Sequence, residues 1–194
     1  MPGQRGMAGQ RADARRNRAL ILDAAFTAFA HEGLGVSIQE IARRTGVSTG
    51  TVSRHFPTKD DLFTAIVLDR AGRLVTTARS LAEREPPGAA FYQFIEVMAL
   101  EGTRNRGMGD ALAGAGFDVQ AAAAGADQDL IGIWSTLLTG AQAAGDVRAD
   151  VTIDDVKALI IGCCAIREDQ NPGQAAVRRM LSVITAGLQP TATT

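Results

Sequence analysis

The fold of this chain is decided by residues 37–62, which read SIQEIARRTGVSTGTVSRHFPTKDDL. Ser37 and Glu40 have the spacing of a capping box, in which each side chain bonds an unpaired backbone N–H at the start of a helix. Gly46 interrupts this helix, and a second short helix follows before a proline ends it. A glycine-containing turn between two short helices is the helix-turn-helix pattern, which we predict at about residues 37–56.

The second of these helices has one side without bulky residues. Val52 and Phe56 recur at the spacing of one buried face, whereas Gly50 and Arg54 lie about 160° from Val52, because successive residues are rotated by about 100°. A small polar face fits a DNA major groove, where an arginine can read guanine and hydroxyl groups can bond bases or phosphates. The same spacing is also compatible with an ordinary helical hairpin whose polar face is solvated.

The charge of the chain is divided unevenly along its length. Residues 1–59 contain nine Lys and Arg against four Asp and Glu, whereas residues 60–194 contain eleven against seventeen. A basic N-terminal part beside an acidic remainder indicates that nucleic acid contacts the N-terminal part. The alternative is that the charges are divided unevenly by chance.

Helical periodicity continues outside the motif, and no strand-like alternation competes with it. With 46% hydrophobic and only 5% aromatic residues, the composition favours a core of closely packed helices. We therefore predict an all-α fold. Besides the two helices of the motif, helices are expected at about 15–32, 58–85, 89–105, 129–145, 153–168 and 174–188.

The sequence argues against several other classes of protein. It has no stretch of about 18 apolar residues and no signal peptide, so we expect a cytoplasmic protein without a membrane partner. The adjacent Cys163 and Cys164 fit small core residues of a reduced protein. Only two histidines occur, His31 and His55, and no metal-ligand spacing, nucleotide-binding motif or nucleophile motif accompanies them. We expect no enzyme, no metal and no cofactor.

The run from Ser37 to Leu62 closely resembles the DNA-binding domain of TetR-family transcriptional regulators. The resemblance covers about residues 15–75 and is carried by Gly46-Val47-Ser48, Gly50-Thr51-Val52, His55-Phe56, Lys59 and Leu62. Ser53 departs from the family, which usually has a tyrosine there to hold the DNA backbone. The residues that the resemblance implies as DNA contacts are Thr45, Thr49, Gly50, Thr51, Ser53, Arg54, His55 and Lys59.

Sequence pattern and resemblance together give an expected organisation of the chain. A flexible basic tail (1–14) precedes a three-helix DNA-binding domain (15–60), and a larger helical ligand-binding and dimerisation domain (61–189) precedes a short tail (190–194). The implied partners are double-stranded operator DNA, a second copy of the chain and an unidentified small-molecule effector. The implied function is that of a repressor released from a palindromic operator. The alternative is a helical small-molecule-binding or interaction protein that has lost operator binding, which the serine at position 53 favours.

Two sets of residues in the second half are candidates for these roles. Family members pair their last two helices with those of a second subunit, but the apolar stripes of these helices also fit an intramolecular core. For the few bulky residues there, pocket lining and core filling predict the same spacing. The expected interface residues are Val156, Ile160, Cys163, Val177, Leu181 and Ile184. The expected ligand-binding residues are Phe94, Met98, Phe117 and Trp134.

Overall fold

The chain is all-α in the computed structural model, as its sequence predicts. The structure describes residues 3–164 and 174–190, and the regular structure in these two ranges is helical throughout. The helices are α1 (Gly3–Glu32), α2 (Ile38–Thr45), α3 (Thr49–His55), α4 (Lys59–Arg84), α5 (Pro87–Gly114), α6 (Val119–Ala143), α7 (Ile153–Cys164) and α8 (Gln174–Leu188).

Helix α1 begins at Gly3 rather than near residue 15, so helix replaces the flexible tail that we predicted for most of residues 1–14. Gln, Arg, Met and Ala fill much of this segment and are good helix formers, and no proline follows Pro2 before the helix ends. Periodicity overlooks such a helix because too few apolar residues recur in it to mark a buried side.

Helices α5 and α6 are also longer than their periodicity predicts. Helix α5 continues past the expected end near residue 105 to Gly114, and α6 begins at Val119 rather than near residue 129. The Gly- and Ala-rich sequence between these points shows little periodicity, although alanine is the best helix former. A turn at Gly116, with φ +80°, separates the two helices.

The last two helices match their predicted positions where the structure describes them. Helix α8 spans the predicted range, Gln174–Leu188, and α7 begins at the predicted Ile153. Residues 165–168, which the prediction added to α7, lie outside the described residues.

The chain divides into two compact units. The N-terminal unit comprises Met1–Arg70 and Gly107–Ala123, and the C-terminal unit comprises Ala71–Arg106 and Ala124–Thr194. The domain boundary predicted after residue 60 therefore falls inside the part of α4 that belongs to the N-terminal unit.

Each unit has its own hydrophobic core. The N-terminal core combines apolar residues of α1 to α4 with Met108 and Leu112 from the last turns of α5. Phe29 and Phe63 pack edge to face in it, with ring centroids 5.1 Å apart. The C-terminal core is built from the second half of α4, the first part of α5, and helices α6, α7 and α8. The helix-turn-helix thus rests on a core of its own.

Candidate functional site

Capping residues set the limits of the two helices of the motif. The Ser37 Oγ accepts a hydrogen bond from the Glu40 N–H (3.2 Å) at the start of α2, and the Ser48 Oγ accepts one from the Thr51 N–H (3.2 Å) at the start of α3. Gly46 ends α2 in the left-handed conformation, with φ 68° and ψ 9°. Two short helices and a glycine turn are therefore present where the sequence predicts them.

The Glu40 carboxylate bonds two arginines instead of closing the predicted capping box. It accepts from Arg43 at 2.7 and 2.8 Å and from Arg44 at 2.7 Å. These hydrogen bonds, with that of Arg43 the strongest influence, lower the pKa of Glu40 to about 2. Arg44 also donates to the Glu32 carboxylate at 2.7 Å, at the end of α1. This ion network joins α2 to α1 and helps to fix the orientation of the motif.

Helix α3 presents a polar surface opposite its buried side. Val52 is 0% and Phe56 is 2% exposed, as their spacing predicts. The Thr51 hydroxyl lies 2.8 Å from the Ser48 Oγ, so it is partly committed to the helix cap. Of the predicted DNA contacts on this helix, Thr49, Gly50, Ser53 and Arg54 are exposed, and Thr51 and His55 are half-buried.

Gly50 lies on this polar surface and has room for a side chain. A Cβ atom at this position would have no neighbouring heavy atom within 4 Å, and the backbone there is helical. Neither packing within the chain nor backbone conformation therefore requires a glycine. Since glycine also lowers helix stability relative to alanine, its presence on this surface fits the close approach of an external molecule.

Besides Thr51, two further predicted DNA contacts are bonded within the chain. The Thr45 hydroxyl donates to the Ile41 carbonyl at 3.0 Å, at the end of α2. The Lys59 ammonium donates to the Leu34 carbonyl and lies 5.5 Å from the ring centre of Phe29. Because an ammonium has three donors, a phosphate contact by Lys59 stays a prediction beside this internal role.

One arginine of α1 lies beside the C-terminal end of α3, and two more are exposed on the same helix. The Arg18 guanidinium lies 5.7 Å from the ring centre of Phe56, the residue at the C-terminal cap of α3. Arg15 and Arg16 are also exposed, and Arg16 pairs with Asp13 at 3.4 Å. The motif pattern did not identify these arginines as candidates for phosphate contacts. The signal that points to them is the excess of basic residues at the start of the chain.

Three of the four predicted ligand-binding residues share the C-terminal core. The rings of Phe94 and Trp134 are 6.0 Å apart at an angle of 86°, and Met98 packs partly buried against the same core. Phe117 belongs instead to the N-terminal core, where its ring centroid is 5.6 Å from that of Phe63. The structure does not bring Phe117 into the predicted set, because the turn after α5 directs its ring onto the core of the helix-turn-helix.

Five of the six residues predicted for the dimer interface are buried inside the subunit. Ile184 is half-buried against the C-terminal core, and the other five are buried within it. These five therefore pack within the subunit, and a dimer contact on the outer sides of α7 and α8 stays a prediction. The large apolar side chains exposed there are Ile161 (69%) and Val183 (74%). The five buried residues are Val156, Ile160, Cys163, Val177 and Leu181.

Within residues 3–164 and 174–190, no helix has the length and apolarity needed to cross a membrane. In the same ranges, no three His, Cys, Asp or Glu side chains cluster as metal ligands. Cys163 is a free thiol, and burial raises its pKa.

Two family profiles match the chain. Residues 21–66 match the bacterial regulatory proteins of the tetR family, and residues 86–190 match the C-terminal domain of SbtR-like transcriptional regulators. The second match alone covers more than half of the 194 residues. Among curated proteins, the sequence comparison gives no match.

Several solved structures resemble the chain along most of its length. A TetR transcription regulatory protein from Mycobacterium vanbaalenii is 43% identical, with a TM-score of 0.78 and coverage of 93% of this chain and 99% of that one. A TetR transcriptional regulator from Streptomyces coelicolor is 32% identical, with a TM-score of 0.75 and coverage of 90% and 99%. A γ-butyrolactone receptor described as an ArpA-like protein is 25% identical, with a TM-score of 0.64 and coverage of 92% and 91%.

Proposed function

The chain belongs to the TetR family of bacterial transcriptional regulators, and we propose that it is a repressor that binds a palindromic operator as a homodimer and leaves it when a small molecule binds. Regulators of this family bind operator DNA and form dimers. In this chain we assign DNA binding to α3, dimerisation to the outer sides of α7 and α8, and effector binding to the C-terminal core.

The exposed face of α3 is the observation that carries the DNA-binding proposal. This face is polar and has no bulky apolar side chain. At its centre, the space next to Gly50 is not occupied by any other part of the chain. Arg54 is exposed on the same helix, and its forked N–H groups match the O6 and N7 acceptors of guanine. Thr49 and Ser53 add hydroxyl groups that can bond phosphates or bases.

Binding to DNA from immediately upstream of the chain's own gene tests this proposal. In fluorescence anisotropy, the protein should bind one labelled fragment of that region about a thousandfold more tightly than a scrambled fragment of equal length and composition. Equal affinity for both fragments would favour the alternative, an interaction or small-molecule-binding protein that has lost operator binding. Ser53, in place of the tyrosine usual in the family, is the observation that favours this alternative.

Repression follows if the operator overlaps the promoter, because a bound dimer then competes with RNA polymerase for the same DNA. A reporter gene driven by the upstream region should rise in activity when the regulator's gene is deleted and fall when it is restored. A fall on deletion would instead identify an activator.

The release of DNA by a small molecule is proposed from the C-terminal core and from relatives. Two of the similar structures are γ-butyrolactone receptors, at 25% and 24% identity, so at least part of this structural group senses small molecules. An effector can release DNA only if it binds the DNA-free state more tightly. Operator DNA must then weaken effector binding by the same factor, which titrations of an inducer with and without operator measure directly.

The homodimer is proposed to form through the outer sides of α7 and α8. Ile161 and Val183 expose large apolar side chains there, and exposed apolar surface often marks a contact with another protein. A two-fold dimer also suits the DNA, because one recognition helix makes few base contacts and a palindrome offers two equivalent half-sites.

A further inference from the structure

We propose that the indole N–H of Trp134 is the polar anchor of the effector site, and that the effector is an uncharged, mainly apolar molecule with a hydrogen-bond acceptor such as a carbonyl oxygen. The proposal rests on the ligand response proposed above and specifies the chemistry of that ligand. Three features of the C-terminal unit support it: an unpaired donor, the apolar core that contains its ring, and the bonding of two polar side chains on the neighbouring helix.

Trp134 has a buried donor that nothing in the described structure accepts. The side chain is only 4% exposed, and its Nε1 atom is buried without a hydrogen-bond partner. In the ranges that the structure describes, it is the only buried side-chain nitrogen or oxygen atom without a hydrogen-bond partner. Buried polar groups in folded proteins nearly always have partners, because an unsatisfied donor has lost its bonds to water. A donor kept unpaired is therefore available to a molecule from outside the chain.

The ring that carries this donor belongs to an apolar core. Phe94 of α5 meets the indole edge to face, with centroids 6.0 Å apart, and Leu137 and Leu138 of α6 belong to the same core. No polar or charged side chain is buried among those that the structure describes. A charged ligand would be removed from water here without a counter-charge, a cost that an uncharged ligand avoids.

Two polar side chains of α5 are bonded to main-chain carbonyls elsewhere. The Tyr92 O–H donates to the Asp146 carbonyl at 2.9 Å, and the Thr103 O–H donates to the Ala99 carbonyl at 2.8 Å. The main-chain carbonyls within α5 and α6 accept the hydrogen bonds of their own helices. An acceptor for Trp134 is thus best supplied by a ligand.

The groove between α5 and α8 is a weaker candidate for the same ligand. It encloses about 590 Å³ but is open to solvent, and it is lined by polar side chains as well as by Ile95 and Leu181. Glu96 and Arg178 of this groove already pair with each other at 3.4 Å. The groove therefore has no unsatisfied buried group that a ligand would relieve.

The single tryptophan of the chain allows a test at the atom concerned, because its indole N–H gives one cross-peak in a ¹⁵N-correlated NMR spectrum. Three probes of similar shape separate the possibilities: benzylacetone has a ketone oxygen, hydrocinnamate has a carboxylate in the same place, and butylbenzene has no oxygen. Benzylacetone should move the indole proton downfield until the site is saturated, since the proton gains an acceptor. Butylbenzene should bind without that downfield shift, and hydrocinnamate should leave the cross-peak in place.

Two variants examine the donor itself. Trp134→Phe keeps an aromatic ring against Phe94 and removes the N–H, so calorimetry should show benzylacetone binding weakened about tenfold and butylbenzene binding unchanged. Tyr92→Phe is the matched control, because it removes a hydroxyl that is already bonded to the Asp146 carbonyl. This control should change the affinity for neither probe.

The proposal would be overturned by an indole cross-peak that no probe moves, or by equal responses to benzylacetone and hydrocinnamate. Equal benzylacetone affinity in the wild type and Trp134→Phe would overturn it as well. The NMR comparison uses only the wild type, so it holds even if Trp134→Phe folds poorly. Operator binding is measured separately by anisotropy. A wild type that binds no upstream fragment would therefore refute the proposed repressor, and the NMR result for the indole N–H could still be interpreted.

Discussion

Arg54 is an exposed residue of α3, and arginine offers more hydrogen-bond donors than any other side chain there. Arg54→Ala should cost about 1–3 kcal/mol of operator binding and relax the preference at one base pair of each half-site. Anisotropy titrations against the operator and its single-base variants measure both effects. Arg79→Ala, which removes an exposed arginine of α4 in the C-terminal unit, is the control and should change neither. Lost affinity with unchanged base preference would place Arg54 on a phosphate instead.

Gly50 should show opposite effects on stability and on DNA binding. Gly50→Ala adds a methyl group with no neighbour within 4 Å, and alanine stabilises a helix relative to glycine by up to about 1 kcal/mol. The free energy of unfolding should therefore rise slightly, while operator affinity falls because the added methyl group holds α3 away from the groove. Urea denaturation and anisotropy measure the two quantities on one preparation. A variant that is more stable and binds the operator normally would show that nothing approaches this position closely.

At the scale of elements, the ion network between α1 and α2 predicts a pH dependence. The pKa of Glu40 is lowered to about 2, first by its hydrogen bonds to Arg43 and then by that to Arg44. This carboxyl group has a lower pKa in the folded state than in the unfolded state. Its contribution to the free energy of unfolding is therefore present above its ordinary pKa of 4.5 and is lost as the pH falls through about 2. An NMR titration of the Glu40 carboxyl carbon should have its midpoint near the lower value.

Two variants identify the cause of that shift. Arg43→Gln removes the larger influence and should raise the Glu40 midpoint more than Arg44→Gln does. Arg44→Gln should in addition raise the pKa of Glu32, which Arg44 lowers through its hydrogen bond. A midpoint near 4.5 in the wild type would mean that the network does not persist in solution.

How far the elements follow from the sequence depends on which physical signal each one carries. Helix α8 and the caps at Ser37 and Ser48 were predictable, because apolar periodicity and capping residues act locally. The extension of α1 to Gly3 was not, since high helix propensity without a buried side leaves no periodic trace. Nor was the position of Phe117, because a periodic pattern shows that a residue is buried but not which core buries it.

The same limit applies to the predicted dimer interface. Ile160 and Ile161 are neighbours on α7, yet Ile160 is 6% exposed and Ile161 is 69% exposed. The sequence shows a single apolar stripe, and the stripe alone does not say whether a neighbouring helix or a second subunit covers it. The more regular stripe packs inside the subunit, so the residues left for a partner are those that interrupt the pattern.

At the scale of the whole molecule, dimerisation should depend on the exposed apolar residues of α7 and α8. The double variant Ile161→Glu, Val183→Glu should sediment as a folded monomer, because each charge would lie unpaired in the apolar contact. Ile131→Glu, at a 38% exposed site of α6, is the control and should remain dimeric. Ile160→Glu should instead unfold at a lower temperature, since it places a charge in the C-terminal core. A dimer that survives the double change would move the interface elsewhere.

Footprinting of the upstream DNA at base resolution tests the central claim, a two-fold dimer reading an operator through α3, most directly. The protein should protect two half-sites related by a two-fold axis, with centres about 34–36 Å apart, one DNA turn, or a multiple of it. In each half-site, methylation of one guanine N7 should interfere with the wild type and not with Arg54→Ala. No protected site, or a single protected stretch without two-fold symmetry, would contradict the claim.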